Sequence, residues 1–338
     1  MPYADVDISI NLAKKPDESE QGKQYVREFK ALTNILEHIG ANDEAVALLA
    51  KDTAHLVVSS NRIVGANGVD GIKLDAKETE TGINVKLRVL ENAVIAQPIH
   101  LCFGVIPKEG IQEINSEITV EDGASVNIIA HCIFPNAVKV KHIMDATVHI
   151  GKNARFTYHE THYHGEHGGV TVIPKACIVV DDGGYLNTTF TLTTGLVGVL
   201  DLNYIVEVRK NAVAELTTKV YAKGYDNVKV REETALVGEG ARSIIKSRIA
   251  LRDDATSEII GVTKGHAPFS RGHVDCTEIV QDRAVAKAIP IVEVDNPLAK
   301  VTHEAAIGNV DKKQVETLVA RGLSMGEAVD VIIMGMLK

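Results

Sequence analysis

The pattern of apolar and polar positions divides the chain into three parts. From residue 21 the apolar residues recur at steps of three and four, as on one face of a helix. They are Tyr25, Phe29, Leu32, Leu36 and Ile39. Residues 62–300 instead show short alternating runs, each closed by Gly, Asn or Asp, which are typical of strands and turns. We therefore predict a helical segment over residues 1–60, a β core over 61–309 and a helix pair over 310–338.

One five-residue motif recurs in the β core: an apolar residue, two variable residues, then Gly, Asn or Asp, then Ala or Gly. Its last position falls at Ala124, Ala154, Gly184, Ala212, Ala241 and Ala255. The first five of these positions are 28–30 residues apart, and the sixth follows after 14 residues. A tight turn and a small inward residue, repeated once per coil, are typical of a β-solenoid. Aromatic residues make up only 4% of the chain, which suits a narrow core. A β-sandwich with similar hairpin turns is the alternative, and the even spacing favours the β-helix.

Composition and charge narrow the functional classes. The chain has 338 residues and a net charge of −9, which disfavours a nucleic-acid-binding protein. No apolar run approaches the ~18 residues of a membrane helix, and no signal peptide is visible. We therefore expect a cytoplasmic protein with no membrane partner. The four cysteines form no C-x-x-C pair, which argues against a ribbon-type zinc site. In a reducing cytosol we expect them to be free thiols. Phosphate-binding-loop and G-x-S-x-G motifs are absent, so we do not expect ATP hydrolysis by this chain.

The densest polar segment of the sequence is rich in histidine. Its histidines are His159, His162, His164 and His167. On a strand, His162 and His164 share one face and His159 lies on the other. Such imidazoles could bind a borderline metal ion. One interpretation is therefore a metal site, such as that of a β-helical metal-dependent hydrolase or lyase. The other is a solvated loop with adventitious metal affinity.

Cys276 is the second candidate, because two other potential ligands, His303 and Glu304, follow it at about one coil. Residues one coil apart lie on neighbouring strands ~4.8 Å apart. The spacing therefore permits a thiolate, an imidazole and a carboxylate to converge. The alternative is that these side chains pack in the fold without binding a ligand.

The sequence from residue 272 to residue 338 resembles the C-terminal region of the SufB/SufD family of iron–sulfur cluster assembly proteins. The resemblance is carried by the segments HVDCTEIV, VEVDNPLAKVTHEAAIG and DKKQVETLVARGLSMGEAVDVIIMGML. It implies a mainly β fold, a right-handed parallel β-helix with helical segments at both ends. The short head resembles archaeal-type SufB-like proteins, which are paired with a SufC-type ABC ATPase.

The resemblance also implies roles for the candidate residues. Cys276 matches the cluster-building cysteine of SufB, His303 matches a histidine of SufD, and Glu304 matches the glutamate that follows in SufB. The implied function is that of a non-enzymatic scaffold for a transient iron–sulfur cluster, of the 4Fe-4S type, which passes to recipient apo proteins. One chain offers two or three ligands and a four-iron cluster needs four, so we expect a homodimer with the cluster at its interface.

The tail has clear start and stop signals for two helices. Asp311 to Gln314 and Ser324 to Glu327 are spaced as capping boxes, and Gly322 separates them. We expect one set of its apolar residues to seal the open edge of the β-helix. The rest would form an exposed patch that binds the SufC-like ATPase. The candidate partner-binding residues are Val315, Leu318, Val319, Met325, Val329 and Ile332.

Overall fold

The computed structural model describes residues 20–338, and residues 1–19 of the predicted helical segment lie outside that range. The chain is 56% strand and forms a β-solenoid of about 8 turns with terminal helices, so the predicted fold class is confirmed. The helices are α1 (Glu20–His38), α2 (Asn42–Ala47), α3 (Lys312–Val319) and α4 (Met325–Leu337). The first strands are β1 (His55–Ser59), β2 (Arg62–Asn67), β3 (Ile72–Glu78), β4 (Gly82–Val89), β5 (Ile99–Gly104), β6 (Glu109–Val120), β7 (Ser125–Phe134), β8 (Lys139–Ile150) and β9 (Arg155–His164). The remaining strands are β10 (Val170–Val180), β11 (Tyr185–Thr194), β12 (Val199–Val208), β13 (Val213–Ala222), β14 (Asn227–Leu236), β15 (Arg242–Leu251), β16 (Thr256–Gly265), β17 (Arg271–Val280), β18 (Val285–Val294) and β19 (Lys300–Gly308).

The strands form two sheets that face each other across the core. The first sheet has the order β19-β17-β15-β13-β11-β9-β7-β5-β1-β2, and the second has the order β18-β16-β14-β12-β10-β8-β6-β4-β3. From β4 onward each coil adds one strand to each sheet, parallel to the strand before it. The β-core begins at His55 rather than at residue 61, because β1 pairs in parallel with β5.

The repeated motif forms the turns that join the two sheets. Its fourth residue has a left-handed backbone, with φ of 69° at Gly123 and 55° at Asn153. These are the residue types that adopt this conformation most easily. The Ala that follows is fully buried, at 0% exposure for both Ala124 and Ala154. The short last interval of the motif has a simple cause. The turn before Ala255 joins β15 to β16 and thus lies at the opposite edge of the solenoid from the others.

The two ends of the solenoid differ. At the N-terminal end β2 and β3 return antiparallel to their neighbours. Helix α1 packs on the outer face of the first sheet near this end, through Phe29, Leu32 and Leu36, which form the helix face that the sequence predicts. At the C-terminal end β18 and β19 each pair with one strand only. Most of their residues are exposed, including Val294 at 45% and Ile307 at 49%. The core is therefore open at this end of the described chain.

The C-terminal helices do not close the open end. Helices α3 and α4 pack on the outer face of the first sheet, against Tyr221 of β13, Ala250 of β15 and Ile279 of β17. The prediction that they seal the edge is wrong, because their apolar face covers this outward row instead. Among residues 20–338 we find no helix with the length and apolar character needed to span a bilayer.

Candidate functional site

Cys276 lies inside the solenoid, one strand from its open end. It belongs to β17, and its neighbours in the sheet are Ser247 on β15 and Ala305 on β19. Its side chain points into the core and the residue is 4% exposed. The row continues inward to Thr218 on β13. The thiol thus lies at the end of a line of small and hydroxyl side chains, next to the last strand of the sheet.

The register of β19 places His303 and Glu304 on different faces. His303 pairs with Val274 and so shares the inner face with Cys276, offset by two residues along the strand. That offset corresponds to a Cα separation of roughly 8 Å. Glu304 pairs with Asp275 and therefore lies on the outer face. Both residues are exposed. Within one protomer the structure brings His303 towards Cys276 but places Glu304 on the other side of the sheet.

The surroundings of Cys276 favour the neutral thiol. Burial raises the pKa of Cys276 to about 12, with a further contribution from Glu278 and an opposing one from Arg248. Arg248 is held on Asp275, with 3.0 Å between Nη1 and Oδ1, and it lowers the pKa of that carboxyl group. A thiol must lose its proton to become a metal ligand. In the free protomer Cys276 is therefore protonated, and ligand binding must supply the energy of deprotonation.

Two acidic side chains near Cys276 were missed by the sequence analysis. Glu232 and Glu278 are each only 1% exposed. Glu232 accepts a hydrogen bond from Thr218 Oγ1 at 2.9 Å, and burial raises its pKa to about 7. Burial also raises the pKa of Glu278, which accepts a hydrogen bond from Ser257. One oxygen of each carboxyl group has no hydrogen-bond partner. A charged residue at an inward position of an alternating strand was the available signal.

The histidine-rich segment does not form one site. His162 and His164 point into the core, each 1% exposed, and their ring nitrogens Nδ1 and Nε2 are 3.4 Å apart. His159 lies half-buried on the opposite face of β9, and His167 is exposed in the turn after it. Burial lowers the pKa of His162 and of His164 to about 3, so both rings are neutral. Glu160 lies beside this buried pair, with its Oε1 2.6 Å from His162 Nε2.

The tail helices divide their apolar residues between the solenoid and solvent. Val315 and Val329 are buried against the outer face of the first sheet, and Leu318 and Ile332 are half-buried there. The exposed apolar residues are Val319 at 38%, Met325 at 64%, Val331 at 51% and Met334 at 37%. Ser324 and Glu327 form the predicted capping box of α4. Asp330 of α4 also binds Arg252 at 2.8 Å. The helix pair is thus fixed to the solenoid and presents a second apolar surface outward.

Comparison with known protein sequences shows the family of this chain. The family model for the SufBD core domain of the SUF iron–sulfur cluster assembly system matches residues 107–336. An iron–sulfur cluster assembly SufBD family protein of Methanocaldococcus jannaschii is 43% identical over 282 residues, 83% of this chain and 89% of that protein. Another, of Pyrococcus horikoshii, is 33% identical over 313 residues, 93% and 94% of the two chains. The chain therefore belongs to the SufBD family of iron–sulfur cluster assembly proteins.

Proposed function

We propose that this protein is a scaffold on which iron–sulfur clusters are built and from which they are transferred. The observation that carries the proposal is the position of Cys276, a buried thiol one strand from the open end of the solenoid. His303 shares its face and supplies a second ligand, while Glu304 lies at the rim of the same strand. A cluster bound by so few ligands in one chain is incompletely coordinated. This is the property that a cluster needs if it is to leave.

The open end supports a homodimer in which two such sites meet. β18 and β19 leave unpaired backbone N–H and C=O groups along one side, and strand edges of this kind pair readily with another chain. Solenoid ends need covering; the inner residues Ile63 and Leu74 of the first edge strands are buried, whereas Ile307 of β19 is 49% exposed. A two-fold interface presents each ligand twice. Two copies of Cys276 with two of His303 or Glu304 complete the set for a 4Fe-4S cluster.

The outward surface of the tail helices is the proposed site for a SufC-type ABC ATPase, bound once per protomer. Val315, Leu318, Val329 and Ile332, which the sequence suggested as contacts, instead hold the helices on the solenoid. The remaining exposed residues are Val319, Met325, Val331 and Met334. Methionine-rich surfaces adapt well to a partner. ATP-driven movement of the partner would then be transmitted through α4 to the strands that carry Cys276, and the finished cluster would pass to recipient apo proteins.

Anaerobic reconstitution with iron and sulfide tests the scaffold role. We expect the wild-type chain to acquire a chromophore in visible absorption and a cluster signal in Mössbauer spectra. Cys276→Ser removes the thiolate without changing the shape of the core, so it should remain folded and lose the cluster. Cys177→Ser is the matched control, because Cys177 is an exposed thiol. A normal cluster on Cys276→Ser would show that another residue is the principal thiol.

The geometry of the histidines does not support the alternative function, that of a hydrolase or lyase. His162 and His164 are enclosed between the two sheets, where a substrate molecule would not reach them. His159 and His167, which solvent does reach, lie apart from that pair. The four histidines therefore do not line a common groove, and we propose no reaction for them.

A further inference from the structure

A second group of potential metal ligands lies in the core, far from Cys276. Cys132 of β7 pairs with His162 of β9, and His142 of β8 faces them from the opposite sheet. One ligand atom from each of these three residues lies within 4.8 Å of the other two. Cys132 and His142 are 0% exposed and His162 is 1% exposed. The group is separated from Cys276 by the four strand steps from β9 to β17, about 19 Å.

His142 shows that the group is incomplete as it stands. Its ring is fully buried, yet neither Nδ1 nor Nε2 has a hydrogen-bond partner. A neutral imidazole always carries one N–H donor and one acceptor. Leaving both unsatisfied in the core costs free energy that an apolar residue at this position would avoid. An orphaned, buried imidazole beside a thiol and a second imidazole therefore points to a bound ligand.

The neighbouring side chains complete a metal-binding arrangement. Glu160 Oε1 lies 2.6 Å from His162 Nε2 and 3.9 Å from Cys132 Sγ, so its carboxylate is already at the group. His164 Nδ1 lies 3.0 Å from the carbonyl oxygen of Leu196. That carbonyl can only accept, so Nδ1 carries the hydrogen and Nε2 faces His162 as an acceptor. A cavity of about 50 Å³, lined by Glu160, Tyr158 and Tyr204 among others, adjoins the group.

We propose that Cys132, His142 and His162 bind one divalent first-row transition-metal ion of borderline softness, Zn²⁺ or Fe²⁺. Glu160 supplies the fourth ligand. One sulfur, two nitrogens and one oxygen are donors that such ions accept in tetrahedral coordination. Metal–ligand bonds of about 2.0–2.3 Å place the ligand atoms about 3.5 Å apart, so binding shortens the longest separation among Cys132, His142 and His162 by up to about 1 Å. It also lengthens the 2.6 Å contact between Glu160 Oε1 and His162 Nε2 by about 1 Å. The thiol proton of Cys132 is released to solvent, and the thiolate and carboxylate neutralise the charge of the ion.

Cobalt(II) is the probe that tests this site, using the full chain carrying Cys276→Ser so that the proposed cluster thiol cannot contribute. We expect one Co²⁺ per chain, with intense visible bands of tetrahedral Co²⁺ and a near-ultraviolet thiolate-to-cobalt charge-transfer band. Adding Cys132→Ser should abolish the charge-transfer band, whereas adding Cys177→Ser should leave it unchanged. Glu160→Gln should weaken Co²⁺ binding by at least about tenfold. Competition with Zn²⁺, and with Fe²⁺ under anaerobic conditions, then identifies the ion that binds more tightly.

The test remains decisive if Cys132→Ser does not fold. X-ray absorption of the Zn²⁺-loaded Cys276→Ser protein should show one sulfur neighbour at about 2.3 Å and nitrogen or oxygen neighbours at about 2.0 Å. Weak octahedral cobalt bands, zinc without a sulfur neighbour, or an unchanged spectrum in folded Cys132→Ser would each overturn the proposal. Because Cys276 is absent throughout, these outcomes are independent of cluster assembly on the proposed scaffold.

Discussion

The open end of the solenoid gives the sharpest prediction, the effect of Ile307→Asp on dimer formation. Ile307 lies on the inner face of β19, beside Glu278 of the neighbouring strand β17, and is 49% exposed in the protomer. Full burial of an isoleucine side chain contributes about 1.5–3 kcal/mol, so covering the exposed half contributes about 1 kcal/mol per copy. A charge buried without a partner adds a penalty of about 3 kcal/mol. Counting the lost burial in both copies and, as a lower bound, only one of the two charge penalties gives about 5 kcal/mol, which weakens dimerisation by at least about a thousandfold.

Sedimentation equilibrium over a concentration series measures this dissociation constant, with circular dichroism as the check on folding. Ile205→Asp is the matched control. Ile205 is 41% exposed, but it lies on the outer face of β12 in the middle of the solenoid. We expect the control to dimerise like the wild type and Ile307→Asp to be monomeric. The reasoning is refuted if the wild type is itself monomeric, or if folded Ile307→Asp dimerises with unchanged affinity.

Two further predictions concern the tail and the buried acid. Val331→Glu, on the outward face of α4, should weaken binding of a SufC-type ATPase by roughly tenfold in isothermal titration calorimetry. The control Val46→Glu, which is also exposed but lies on α2, should bind like the wild type, and equal affinities of the two variants would exclude this face as the docking surface. Glu232 has its pKa raised to about 7 in the fold, so stability is lost as pH rises from about 4.5 to 7 and the unfolded state ionises first. Urea denaturation should therefore show that Glu232→Gln raises the free energy of unfolding at pH 8 by up to about 3 kcal/mol and changes it little at pH 4.5. An equal change at both pH values would contradict this account.

The fold was predictable because its signals are local and repeated. Each turn needs a residue that adopts a left-handed backbone, followed by a small residue that fits the narrow core, and the chain repeats this pair on nearly every coil. Gly123–Ala124 and Asn153–Ala154 are examples. The helix caps at Ser324 and Asp311 are local in the same sense. Where the tail helices pack was not predictable, because their apolar residues fit either the open end or the outer face.

The candidate site was less predictable, because in a β-solenoid a difference of one residue in coil length places a side chain on the opposite face of the sheet. The coils differ slightly in length along the chain, and a shift by a single position moves a side chain from the core to the surface. Ala305 is the residue that pairs with Cys276 one coil later. His303, two positions before it, therefore shares the face of Cys276, whereas Glu304, one position before it, does not. The partnership of Cys132 with His142 joins opposite sheets, and no short-range spacing indicates it.

The same register limits how a shared cluster could be coordinated. His303 lies on the face of Cys276, so these two residues can bind one cluster from the same protomer. Glu304 faces outward beside Asp275, so it could join that cluster only if the partner chain met the outer face of β19. An interface formed by the inner faces of the two chains would keep both glutamates outside the cluster, because Glu304 stays on the outer face of its own strand. The choice between His303 and Glu304 as ligand therefore depends on which face of β19 the partner chain meets, as well as on the chemistry of the two side chains.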